Sequence, residues 1–202
     1  MAHQYFKNEF HYYYSSPNRP LAIYKANAIN NISSKVWQKI VNNFEEDDYV
    51  VERTFNEVRD GTMVPATIVY KADINLNRPI LFYGYGSYGI NREARFSESI
   101  LPLINKGFIF VYLNIRGGAE MGKEWYEQGR MLNKMNSFYD FNDSVEAILN
   151  KGYGDKNNVF AQGGSAGGLL MGAIVNLKPE LYKGIISGVP FVDVLTTMSD
   201  ES

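Results

Sequence analysis

Residues 161–170 read Ala-Gln-Gly-Gly-Ser-Ala-Gly-Gly-Leu-Leu, and Gly163, Ser165 and Gly167 within them fit the pattern G-x-S-x-G. The chemistry of that pattern is acyl transfer. A serine at the tip of a sharp strand-to-helix turn attacks a carbonyl carbon, and small neighbours relieve the crowding of the strained turn. Here an apolar β-rich run, residues 158–162, precedes Ser165 and "AGGLLMGAIVNL" follows with helical character. Gly163, Gly164, Gly167 and Gly168 occupy the places where side chains would collide. A helix opening behind Ser165 offers free N–H groups and a positive dipole end to a developing oxyanion. The competing reading is that these glycines only let helix and strand pack closely. The strand–turn–helix context favours the elbow.

A serine hydroxyl is weakly nucleophilic until an imidazole takes its proton. The sequence holds two histidines, His3 and His11, both far upstream of Ser165. His11 falls in an aromatic-rich strand, and His3 in a terminus expected to fray. Asp155, Asp193 and Asp200 lie nearer in sequence, but a carboxylate without an imidazole is a poor base for serine. Asp193 reads as a loop or helix-capping residue. The chain has no cysteine, which excludes disulfides, thiolate chemistry and Cys-based metal sites.

A second glycine motif, Gly84-Tyr85-Gly86-Ser87-Tyr88-Gly89, matches G-x-G-x-x-G and follows a strand. A dinucleotide fingerprint also needs a helix opening in the turn and an acid about 20 residues on. "INREARF" delays the helix, the next strand ends at Asn114, and two tyrosines crowd the loop. No cofactor is expected. The loop suits a different task, because a second oxyanion donor comes from the loop after an earlier strand, while the first is the N–H after the nucleophile, here Ala166. A backbone N–H of this loop or the Tyr85 hydroxyl could serve.

These residues need elements to hold them. Residues 10–27 read as two strands around a Ser-Pro-Asn turn, and residues 28–48 as a linker with a short helical turn. Two β-rich runs flank Asp60-Gly61, the preferred pair for a type I′ hairpin. "ILFY", "FIFVYLNI", "NVFAQ" and "GIISGV" read as buried strands. Between them, residues 95–106 show helical spacing, as do Phe138, Phe141, Val145, Ile148 and Leu149, with Gly107 and Gly152 as stops. Strands alternating with helices imply an α/β fold, a mostly parallel sheet covered on both faces.

Net charge is −2 without a polybasic tract, which argues against nucleic acid and anionic membrane as partners. The longest apolar run is too short to cross a bilayer, and the N-terminus lacks the apolar core of a secretory signal. A cytoplasmic protein is expected. Fifteen tyrosines and twelve phenylalanines mostly suit sheet and core packing.

"LFYGYGSYG", "NIRGGAEMGKEWYEQG", "NKMNSFYDF", "GGSAGGLLMGA" and "VPFVDVLTTMSDES" occur in an order and spacing that resemble the prolyl oligopeptidase family of serine peptidases. Ala166, "PFVDV" and "TTMSDES" resemble its oligopeptidase B branch in particular. The resemblance implies a partial α/β-hydrolase fold over residues 48–202, preceded over residues 1–47 by remnant strands of a β-propeller lid. It implies that Ser165 is the nucleophile, with Tyr85 and the Ala166 N–H forming the oxyanion hole, and that short peptides are cut after Arg or Lys. Ala119 stands where the family usually has glycine. The triad Asp and His are expected beyond residue 202, leaving this chain inactive alone and dependent on a complementing C-terminal fragment. A non-catalytic peptide- or partner-binding remnant, self-associating through an exposed sheet edge, is the alternative. A residual esterase activity is a third reading.

Overall fold

Aromatic and β-branched residues near the N-terminus pair into strands β1 (Glu9–Ser16) and β2 (Arg19–Asn27), and the computed structural model describes residues 8–200. Tyr12 and Tyr24 stack across this antiparallel pair at 5.2 Å. A third strand, β3 (Ser33–Gln38), adds to β2, so the expectation of a linker over residues 28–48 is corrected. The polar residues of β3 gave no periodic signal; its strand state comes from the β2 edge, where Trp37 sits opposite Ile23. Glu46–Asp48 then form a single 3-10 turn.

β4 (Tyr49–Glu57) and β5 (Met63–Lys71) form the expected hairpin, but not with a type I′ turn. Gly61 is left-handed (φ +81°), whereas Asp60 is not among the residues with positive φ. The Gly61 N–H donates to the Val58 carbonyl (2.8 Å), and the Val58 N–H donates to the Thr62 carbonyl (3.0 Å). This is the three-residue loop in which a glycine bulge follows a type I turn. Asp60 stays exposed, with its carboxylate 2.7 Å from the buried Arg116.

A six-stranded sheet runs in the order β4-β5-β7-β6-β8-β9, with β6 (Ile80–Tyr83), β7 (Ile109–Leu113), β8 (Val159–Gly164) and β9 (Gly184–Gly188). β7-β6-β8-β9 is parallel, while β4 and β5 are antiparallel additions, so the sheet is mixed. Alternate residues of β6 serve opposite faces. Ile80 and Phe82 pack with residues of α3 (Met135–Asn150) and α4 (Ala166–Leu177). Leu81 packs with residues of α1 (Leu101–Asn105) on the other face. The stripe Phe138, Phe141, Val145, Ile148 and Leu149 is buried as its spacing requires.

α1 is shorter than the helix expected over residues 95–106, because Pro102 sits in its first turn and Phe96 instead packs edge-on against Phe44. Two further short helices, α2 (Lys123–Glu127) and α5 (Val194–Ser199), complete the chain. The consequence for function lies in the strand order. β6 passes to β7 on one side while β8 lies on its other side, so the chain leaves the carboxyl ends of β6 and β8 in different directions. A crevice opens at such a switch point.

Candidate active site

Two segments enter that crevice: residues 84–89 after β6, and Ser165 between β8 and α4. Ser165 has φ 55° and ψ −117°, a conformation ordinary only for glycine and costing a side-chain-bearing residue roughly 1–3 kcal/mol. Backbone hydrogen bonds on both sides hold it there. Its N–H donates to the Gly188 carbonyl (2.9 Å), and its carbonyl accepts from the N–H groups of Gly168 (2.8 Å) and Phe191 (3.1 Å). The strained residue is thus fastened to β9, to the first turn of α4 and to the segment after β9, with its side chain exposed.

The flanking glycines differ in what they do. A Cβ at Gly163 would lie 2.3 Å from the Gly167 carbonyl oxygen, and one at Gly168 2.5 Å from the Cα of Pro190. One at Gly167 would lie 2.9 Å from the Gly84 carbonyl oxygen and 3.4 Å from the Tyr85 ring. At Gly164 the nearest atom is the Gly188 carbonyl oxygen at 3.4 Å, an ordinary contact. So Gly167 lets the loop after β6 reach the N-terminus of α4. That contact brings Tyr85 beside the elbow, buried, with the Arg92 guanidinium 4.5 Å above its ring. Ala166, also buried, opens α4, whose first N–H groups have no intrahelical acceptor.

Residues 84–89 turn through left-handed conformations at Gly86, Tyr88 and Gly89 and open no helix, so they lack the dinucleotide geometry. A cradle from residues 116–118 supports them. Gly117 has φ +97°, and a Cβ there would lie 2.1 Å from the Gly86 carbonyl oxygen. The Gly89 N–H donates to the Gly117 carbonyl at 3.0 Å. Arg116 anchors the cradle in the core by two bonds to buried Asp140 (2.6 and 2.9 Å) and an ion pair with Asp60. Nothing in the structure explains alanine rather than glycine at position 119.

The other sequence candidates lie elsewhere. His11 is an exposed residue of β1, in the three-stranded sheet, and His3 lies outside the described residues. Asp155 precedes β8 and bonds Asn157 and Asn158, about 20 Å from Ser165 along a six-residue strand. Asp193 caps α5, accepting from the Thr196 N–H at 3.3 Å. Asp200 lies after α5. Among the described residues no three His, Cys, Asp or Glu side chains cluster to hold a metal, and no helix is long and apolar enough to cross a membrane. Arg92 and Lys134 escaped the sequence reading; a lone cation in a loop and one before a helix carry no periodic signal. Beside the crevice lies a cavity of about 480 Å³ lined by Tyr83, Arg92, Ser97, Ile100, Tyr112 and Gln162. Burial pushes the Tyr112 phenol up to about 12, leaving it a neutral donor.

A sequence profile described as the prolyl oligopeptidase family matches residues 94–202. The chain is 43% identical over 192 residues to dipeptidyl aminopeptidase BI of Pseudoxanthomonas mexicana, covering 94% of this chain and 27% of that protein. It is 45% identical over 161 residues to protease 2 of Moraxella lacunata, covering 79% of this chain and 23% of that protein. The structure of oligopeptidase B from Leishmania major superposes with a TM-score of 0.89 at 38% identity, over 98% of this chain and 28% of the other. Oligopeptidase B from Trypanosoma brucei with covalently bound antipain, in a closed form, superposes with a TM-score of 0.86 at 36% identity, over 98% of this chain and 31% of the other. The three-stranded sheet is therefore shared along with the six-stranded one. The fold is a partial α/β-hydrolase preceded by propeller strands. The chain spans about a quarter of the length of the curated relatives it matches.

Proposed function

The chain belongs to the prolyl oligopeptidase family, and on that premise we propose that it carries the nucleophile region of a serine oligopeptidase acting on short peptides, after Arg or Lys. Ser165 Oγ attacks the scissile carbonyl carbon and its proton passes to an imidazole. The tetrahedral oxyanion is held between the Ala166 N–H and the Tyr85 hydroxyl. Collapse expels the amine, which takes the proton, and water hydrolyses the resulting ester by the reverse path. One oxyanion donor of this kind is worth about 10²–10³ in rate. The imidazole and its orienting carboxylate are assigned to a complementing segment, since no described histidine lies in the six-stranded unit.

The observation that carries this reading is the strained Ser165 at the switch point, with the Gly84–Tyr85 backbone packed on Gly167. We further assign residues 1–47 to the propeller remnant and residues 48–202 to the peptidase part, in a protein of the cytoplasm. Intact-mass detection of fluorophosphonate labelling tests the nucleophile. Labelling of the protein that disappears in Ser165→Ala supports it; labelling that persists in Ser165→Ala, or is absent from folded protein supplied with the complementing segment, rejects it.

A second reading is a peptide- or partner-binding module that also self-associates. Its support is apolar exposure on and after the edge strand β9: Ile186, Val189, Val192, Leu195 and Met198 are all more than half exposed. Light scattering over a concentration series tests it, with a monomer at all concentrations as the opposing result.

A further inference from the structure

The loop that carries Tyr85 is fastened by an unusual side chain. Lys134, just before α3, reaches under residues 84–89, where its Nζ donates to the Gly86 carbonyl (2.5 Å) and the Ser87 hydroxyl (2.9 Å). A third bond goes to the Ser137 hydroxyl (3.3 Å), and Ser137 itself donates to the Arg116 carbonyl (2.7 Å). Lys134 therefore joins three pieces: the loop after β6, the start of α3 and the cradle beneath the loop. The Phe138 ring, 5.7 Å from Nζ, closes its apolar side.

The charged groups on the surrounding elements are engaged elsewhere. On the cradle and α3, Arg116 is paired with Asp140 and Asp60. Glu127 of α2 is paired with Arg130. Arg92 lies over Tyr85, and Glu120 accepts from the Arg92 N–H and from Asn114. No carboxylate bonds Lys134 among the described residues, and burial lowers its pKa to about 8.

We propose that Lys134 is a positioning residue whose ammonium clamps residues 84–89 onto α3 and so fixes Tyr85 against Gly167 at the elbow. This rests on the reading of that loop as the oxyanion side of the site, and goes beyond it by naming what sets the loop's geometry. The ammonium has three N–H donors for its three acceptors, and the neutral amine has two. One contact must therefore be given up, or made with Lys134 as acceptor, as the pH rises through its pKa. The clamp is complete below about pH 8 and loosened above it.

The test is a pH titration of the protein by NMR, following the Lys134 Cε–Hε signal, assigned by its loss in Lys134→Met, beside the amides of Tyr85, Gly86 and Ser87. The expected result is that these amides shift with the same midpoint as Lys134, near pH 8. In Ser87→Ala, which removes one acceptor of the ammonium, that midpoint falls. In Lys134→Arg, charged at every pH used, the amides stay constant from pH 7 to 9.5. Loop amides that ignore the Lys134 titration in the unaltered protein overturn the proposal, and that measurement needs no variant to fold. Fluorophosphonate labelling of Ser165 on the same sample separates the two ideas. A coupled titration, with labelling that persists in Ser165→Ala or is absent even when the complementing segment is supplied, keeps the clamp and rejects the nucleophile; labelling lost in Ser165→Ala without coupling does the reverse.

Discussion

At the scale of single residues, the site is built from groups held against their preference. Ser165 keeps a glycine-like backbone because Gly188, Gly168 and Phe191 bond both its N–H and its carbonyl. Ser165→Gly should therefore gain about 1 kcal/mol in stability while abolishing covalent labelling. Urea melts would read the gain, and an unchanged or lower midpoint would mean the strain is absent. Lys134 is the second case. Its folded pKa lies near 8 and its ordinary value is 10.5, so between those pH values the unfolded chain holds a proton that the folded chain lacks. Stability rises with pH across that window, by on the order of 3 kcal/mol relative to Lys134→Met, which has no such proton. Parallel urea melts at pH 7.5 and 10 check the sign. The clamp loosens while the fold tightens, because burial disfavours the charged form.

At the scale of elements, the elbow is a packing problem solved by three of four glycines. Gly163→Ala drives a Cβ into the Gly167 carbonyl at 2.3 Å, whereas Gly164→Ala meets only Gly188 at 3.4 Å. The first should cost about 3 kcal/mol or more, since backbone cannot yield as a flexible side chain does, and the second under about 1 kcal/mol. Thermal melts of both variants decide it; equal losses would contradict the geometry. The sequence pattern alone ranks these glycines together. What separates them is which backbone crosses each one, and those neighbours come from Gly167 itself, from β9 and from Pro190. The same holds for Asp60-Gly61. The dipeptide announced a hairpin, but the three-residue turn it adopts leaves Asp60 facing the distant Arg116.

At the scale of the whole molecule, the two sheets meet through a small number of specific groups. The Phe96 N–H donates to the Ser15 hydroxyl, Asn18 donates to the Tyr49 carbonyl, and Lys39 pairs with Glu98. Val41 and Phe44, on the N-terminal side of the boundary proposed at residue 47, pack into the core of the larger unit. Phe44 stacks on Tyr49 with ring centroids 4.9 Å apart. Residues 40–202 should thus be more stable than residues 48–202 by about 2–3 kcal/mol, the worth of one large apolar side chain and part of another. Denaturant melts of the two lengths measure it, and no difference would mean that Val41 and Phe44 add nothing to the larger unit.

Strands β6 to β9, the buried stripe of α3, the helix that follows Ser165 and the elbow before it were all legible in the order of residues alone. Those are local facts: apolar periodicity, and glycines at fixed offsets from one serine. The sequence could not reveal β3, whose polar residues are strand only because β2 offers them a partner, nor the late start of the helix expected over residues 95–106. Folding in three dimensions was needed to place Tyr85 against Gly167, Arg92 over Tyr85 and Lys134 on the Gly86 carbonyl. The first and the last join residues far apart in sequence. The strand order creates their proximity by setting β6 between β7 and β8, and no local pattern of side chains encodes that order.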